Sequence, residues 1–202
     1  MRRAPKFAER AGTTPIGDAS GLIPDDVKTR RQLFIAEAKN IGRAVTKYLA
    51  AAPSKRRAPF TLEWAYRLHR EMFGEVWEWA GKRRAAALNL GVAAHRIDPD
   101  LKNLLGDLAA WREHGSFSPM EQSARLHHRA VLIHPFRNGN GRWARMLANV
   151  WLKQCGAEPV RWPENPIGNE SPIRQEYLRA LKAADGGDYA PLIALHQRYA
   201  AR

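Results

Sequence analysis

The sequence predicts an all-α domain, mainly helical, with one small β-hairpin. Three observations lead there. Apolar residues recur at helical spacings through most of the long stretches. Three caps stand directly before a proline, the pattern of a helix start. One central stretch mixes tryptophans and glycines with a short apolar run, which reads as loop and hairpin.

Taken in order, residues 1–28 hold "RAGTTPIGDASGLIPDDVKT", whose Gly, Pro, Thr and Asp predict an irregular arm. From Thr29 to Ala52, Leu33, Ile41, Val45 and Leu49 mark a helix that "APSKRRAP" ends. Thr61 then reads as a cap, and "LEWAYRLHREMF" as a helix with Leu62, Ala65, Leu68, Met72 and Phe73 inward, closed by Gly74. Val76 to Asp98 is the hairpin region. The three cap and proline pairs follow: Asp98 before Pro99, Ser118 before Pro119 with Glu121 completing a capping box, and Ser171 before Pro172. The Ser118 helix runs to about His134, and "NGRWARMLANVWLKQCG" forms another, closed by Gly156. Leu178, Leu181, Leu192 and Leu195 place two last helices on the core. The expected organisation is the arm, then one domain over 29–202 with its motifs between 61 and 157.

The chain is long enough to bury a core of its own. A net charge of +13 makes its surface attractive to nucleic acid, anionic lipid, nucleotides or an acidic protein. Its basic residues are dispersed, with short clusters at Lys55–Arg57 and Lys82–Arg84 and no groove-reading motif, so nucleic acid is not the favoured partner. The single cysteine, Cys155, excludes an internal disulfide and fits a reducing compartment. The first residues lack the apolar run of a secretory signal, and no later stretch resembles a membrane span. A cytoplasmic protein without membrane attachment is expected.

The chemistry concentrates in "HPFRNGNGRWARM", His134 to Met146. A helix apolar around most of its circumference starts here, and its first turn holds backbone N–H groups with no partner in the helix and the positive end of the dipole. Gly139 and Gly141 let an anion approach that backbone. Arg142 and Arg145, on the first turn, can grip phosphate oxygens. Cations at a helix N-terminus are unfavourable unless an anion is near, which argues for a bound phosphate. His134, just before the turn, can take a proton at neutral pH. A histidine metal cluster in "LHHRAVLIH" is not expected, since His127 and His134 lie roughly 10 Å apart along a helix, and His127 reads as a packed residue.

These residues resemble the signature of the Fic family, HPFx(D/E)GNGRxxR, at every fixed position except the acidic one, where Asn138 stands. "LHREMFGEVWEWAGKRR" resembles the family's preceding helix, its aromatic-Ala-Gly turn and the arginine that follows. The resemblance covers most of Thr61 to Ala157. It implies a helical fold and transfer of AMP from ATP to a Ser, Thr or Tyr hydroxyl of a target protein. His134 would be the base and Phe136 the anchor of the loop. Gly139, Asn140 and Gly141 would form the anion hole, with Asn140 and Arg142 among the catalytic residues and Arg142 and Arg145 on the nucleotide phosphates. A target strand would add to a flap over Leu88–Ile97. Magnesium is implied as well, although the neutral amide of Asn138 is a poorer ligand for a hard cation than a carboxylate.

The phosphorylating Doc branch has Lys where Gly141 stands and Ala where Gly139 stands, so nucleotidyl transfer is the reading for this chain. No (S/T)xxxE(G/N) inhibitory pattern occurs. In "SPIRQEY", counting from Ser171, the required position holds Gln175 and Glu176 comes one residue late. A separate inhibitory partner is therefore expected, as in toxin and antitoxin pairs. "GLIPDDVKTRRQL" together with the later motifs resembles the Fic branch called mobile mystery protein B, which implies a small helix-turn-helix companion. A basic nucleic-acid-binding regulator and a nucleotide-binding pseudoenzyme are the alternatives.

Overall fold

A computed structural model describes residues 20–86, 90–163 and 172–200. Seven α-helices occur among them: α1 (Arg30–Leu49), α2 (Leu62–Phe73), α3 (Ile97–His114), α4 (Pro119–Ile133), α5 (Asn140–Gln154), α6 (Pro172–Asp185) and α7 (Ala190–Tyr199). Residues 1–19, most of the predicted arm, and Ser171, the expected cap of α6, lie outside the described residues. The end of the arm packs on the body: Ile23 N–H donates to Val76 O at 2.9 Å and Glu78 N–H to Gly21 O at 2.8 Å.

The helix starts follow local chemistry, with two departures. Thr61 Oγ accepts from Trp64 N–H, and Ser118 Oγ from Glu121 N–H at 3.2 Å, but the Glu121 carboxylate is taken by Arg125. The complete capping box lies instead at Thr29 and Gln32 of α1. Asp98 is not a cap. α3 begins at Ile97, two residues before the expected Pro99, and the Asp98 carboxylate accepts from the Tyr66 hydroxyl across the α2 to α3 contact.

The predicted β-hairpin is also corrected. Among the described residues there is no strand, only two isolated bridges, Leu22 with Trp77 and Val160 with Ala200. Residues 87–89 of the hairpin region fall outside the description, and Ala94–Arg96 forms a 3-10 turn leading into α3. The main chain here is met by α4 and by a side chain of the same region rather than by a ladder: Val92 N–H donates to Ile133 O at 3.3 Å, and the Arg84 guanidinium takes the Ala86 and Val92 carbonyls.

α5 is the central helix. Trp143, Ala144, Leu147, Ala148, Val150 and Leu152 are buried, and it packs against α1, α2 and α4. The main core adds Trp64, Leu68, Phe73, Trp77, Leu104 and Leu108 from the surrounding elements. Inward from α1 come Leu33, Glu37, Asn40, Ala44 and Tyr48, whereas Val45 is 40% exposed. The helical phase of α1 is thus set by two polar side chains that the apolar pattern does not show. Asn40 accepts from Glu75 N–H and donates to Glu71 O, closing the end of α2. α6 and α7 build a smaller cluster on Ala124 of α4, with Ala180, Ala184, Leu192 and Leu195.

Candidate functional site

The loop between α4 and α5 is held from four sides. His134 ends α4 in the left-handed region, φ 53 and ψ 59, a conformation that costs a non-glycine residue about 1–3 kcal/mol. Arg84 holds it there, with Nε donating to His134 O at 2.7 Å and its own N–H to Pro135 O at 3.0 Å. Phe136 is fully buried, stacked on His69 with ring centroids 3.6 Å apart and edge-on to Tyr66 and Trp143. His69 takes Gly81 N–H on Nδ1 at 2.9 Å, so its Nε2 carries the hydrogen and donates to Asn138 O at 3.0 Å. Asn140 closes the loop: Oδ1 accepts from Phe136 N–H at 2.9 Å and Nδ2 donates to Phe136 O at 2.8 Å.

Gly139 sits at φ 78, where a Cβ would come within 2.8 Å of the Phe73 ring. Only glycine fits this junction. No atom of the described residues lies within 4 Å of a Cβ built at Gly141.

The His134 imidazole is buried. Its Nδ1 lies 3.3 Å from Val131 O, which places the hydrogen on Nδ1 and the basic lone pair on Nε2. Burial pushes its pKa down, the Val131 carbonyl opposes that, and the Arg84 cation adds to the lowering. The group is therefore neutral at physiological pH, the form a general base requires.

The two arginines part company. Arg142 lies over the Phe73 ring at 4.7 Å and pairs with Glu37 of α1, Nη1 to Oε2 at 2.6 Å. The other Glu37 oxygen accepts from Trp77 Nε1 at 2.7 Å. The like-sign conflict at the start of α5 is thus relieved for Arg142 by a carboxylate of the protein, and that argument for a ligand anion weakens. Arg145 donates to Gly141 O at 3.3 Å and reaches toward Trp162, 5.9 Å from its ring. The Asn138 side-chain oxygen is turned back onto Gly139 N–H, and no group of three His, Cys, Asp or Glu able to hold a metal occurs among the described residues. A groove of 350 Å³ between α1 and α2, lined by Arg43, Lys47, Arg70 and Glu71 among others, lies apart from these motif residues.

The Fic/DOC family model matches residues 59–152. Those residues form a Fic domain. The chain is 30% identical over 153 residues to protein adenylyltransferase fic-1 of Caenorhabditis briggsae, covering 74% of this chain and 28% of the relative. It thus spans under a third of that protein's length. A solved fragment of Fic-1 from C. elegans superposes with a TM-score of 0.68 at 25% identity, over 87% of this chain and 51% of that one. The N-terminal Fic domain of a VirB-translocated Bep effector protein from Bartonella quintana, solved with bound ADP, gives 0.63 at 21% identity, over 88% of each chain.

Within this Fic domain, His134, Gly139, Asn140, Gly141 and Arg142 converge on one short loop and helix start, with Arg145 one turn further on. Asn140 spends its side chain on the loop. His127, set aside as a metal ligand by spacing, is fully buried between His196 and Tyr177. Sequence reasoning passed over His69, Glu37 and Arg84 as members of the site. Each acts on the loop or helix start across 50 or more residues of chain, a separation that motif spacing does not register.

Proposed function

We propose that this Fic domain is a protein adenylyltransferase that transfers AMP from ATP to a Ser, Thr or Tyr hydroxyl of a target protein. The observation that carries the reading is a neutral imidazole fixed at the end of α4, directly before the glycine-flanked start of α5. In the reaction, His134 Nε2 takes the hydroxyl proton as the oxygen attacks the α-phosphorus. The new O–P bond forms as the bond to pyrophosphate breaks. Backbone N–H groups of Asn140 and Gly141 meet the charge on the phosphates, joined by Gly139 N–H once the Asn138 side chain leaves it, and Arg142 and Arg145 supply cationic donors beside them. The adenylyltransferase name of the C. briggsae relative and the ADP in the Bartonella structure support an adenine nucleotide.

Magnesium is expected with ATP, but the side chains of the described residues do not build a site for it. Asn138 is neutral and turned onto the backbone, so no step is assigned to the ion. The target is assigned to the segment over Leu88–Ile97, and control to a separate antitoxin or helix-turn-helix companion. No helix among the described residues is long and apolar enough to cross a membrane, and a cytoplasmic site of action belongs to the same proposal.

The test is incubation of the protein with cell lysate, magnesium and each of four α-phosphate-labelled nucleotides. ATP should label a protein band, and His134→Ala should lower the rate by about 100-fold or more while ATP binding persists. No label from any nucleotide, with ATP still bound, would favour a pseudoenzyme, the reading that the Asn138 turn and the Arg142 to Glu37 pair support.

A further inference from the structure

Arg84 is 6% exposed, and among the described residues it meets no carboxylate. A buried cation without a counter-ion is a cost that packing alone does not explain. Its guanidinium is instead spread over three main-chain carbonyls: Nε on His134 O at 2.7 Å, Nη1 on Ala86 O at 3.0 Å, and Nη2 on Val92 O. One of these belongs to the residue with the imidazole, and two to the chain that leads toward α3.

A second contact joins the same two segments. Gly91, at φ 92, packs so closely that a Cβ there would fall 2.5 Å from His134 Cβ, 2.8 Å from Arg84 Nη2 and 3.0 Å from Ile133 O. Val92 N–H completes the seam on Ile133 O. The fork geometry is what the place requires: five donors in one plane can serve several carbonyls at once, and a lysine ammonium cannot reproduce that spread.

We propose that Arg84 is a positioning residue for the transfer reaction, one that locks the His134 turn to the Gly91 and Val92 backbone so that imidazole and target-presenting chain keep one fixed separation. This rests on the transferase reading of His134. Arg84 touches none of the groups assigned to phosphate, so its loss should act on the rate of transfer and leave the affinity for ATP in place. Misplacing a base by about 1 Å costs about 100-fold in rate.

Arg84→Gln and Arg84→Lys are compared with wild type in three measurements: the nuclear Overhauser contact between Gly91 α and His134 β protons, the Kd for ATP, and the initial rate of label transfer. The expected result is loss of the contact in both variants, a Kd within about twofold of wild type, and a rate lowered by about 10- to 100-fold. The lysine variant keeps the charge and should be the more soluble control if the glutamine variant does not fold. A preserved contact, or a lost contact with the rate unchanged, overturns the proposal. Wild-type protein that binds ATP but labels nothing removes the transferase reading, and the contact measurement still decides whether Arg84 holds the seam.

Discussion

His69→Gln offers a test of how acid acts on the motif loop. His69 is fully buried, and burial pushes its pKa down to about 3 from an ordinary 6.5. The unfolded chain protonates this imidazole as pH falls through 6.5, whereas the folded chain does not until about 3. Stability therefore declines on acidification across that window. At about pH 5 the penalty from this one group is about 2 kcal/mol. Glutamine keeps a donor for Asn138 O and an acceptor for Gly81 N–H but does not titrate. Chemical denaturation of both proteins at about pH 7.5 and about pH 5 should show a loss smaller in the variant by about 2 kcal/mol, whatever the absolute stabilities. Equal losses would refute the reasoning, because they would mean that His69 titrates alike in both states.

Gly139→Ala should destabilise the protein by about 2–4 kcal/mol, combining left-handed backbone strain with the clash on Phe73, as read from a denaturation midpoint. Asn140→Ala strips Phe136 N–H and C=O of their buried partners, and should cost about 2–4 kcal/mol together with loss of label transfer. In active protein the transfer rate should rise with pH as His134 loses its proton, with the midpoint below about 6.5. A midpoint above that value would contradict the buried, cation-flanked setting of the ring.

Much of the architecture was legible in local sequence. Ser118 and Thr61 start helices because their oxygens cap the next turn, and the apolar circumference of Arg142 to Cys155 marked α5 as central. The motif glycines likewise announced a sharp loop. What local sequence does not carry is a contract between distant residues. The inward face of α1 includes Glu37 and Asn40, which look like solvent positions until Trp77, Arg142 and the end of α2 arrive as their partners. Asp98 fits the pattern of a cap, yet the Tyr66 hydroxyl outcompetes that use. Among the described residues no strand forms in the hairpin region, where the Arg84 side chain and Ile133 O take main-chain groups of Val92.

The buried imidazoles beside α5 have a consequence of a different kind. Tyr177, His127, His196 and Ser123 form a line of contacts of 2.9, 3.0 and 3.3 Å, ending on Ala148 O at 3.5 Å. Both rings are held neutral by burial, so each has one hydrogen to give. The hydrogens must then point the same way along the whole line, or two lone pairs face each other at some link. An apolar seam tolerates any side chain of similar volume, but this one also counts hydrogens. Replacing one link by a group with two donors, or with none, frustrates the next link without changing the shape of anything. The attachment of α6 and α7 to the rest of the protein is thereby written in proton placement as well as in packing.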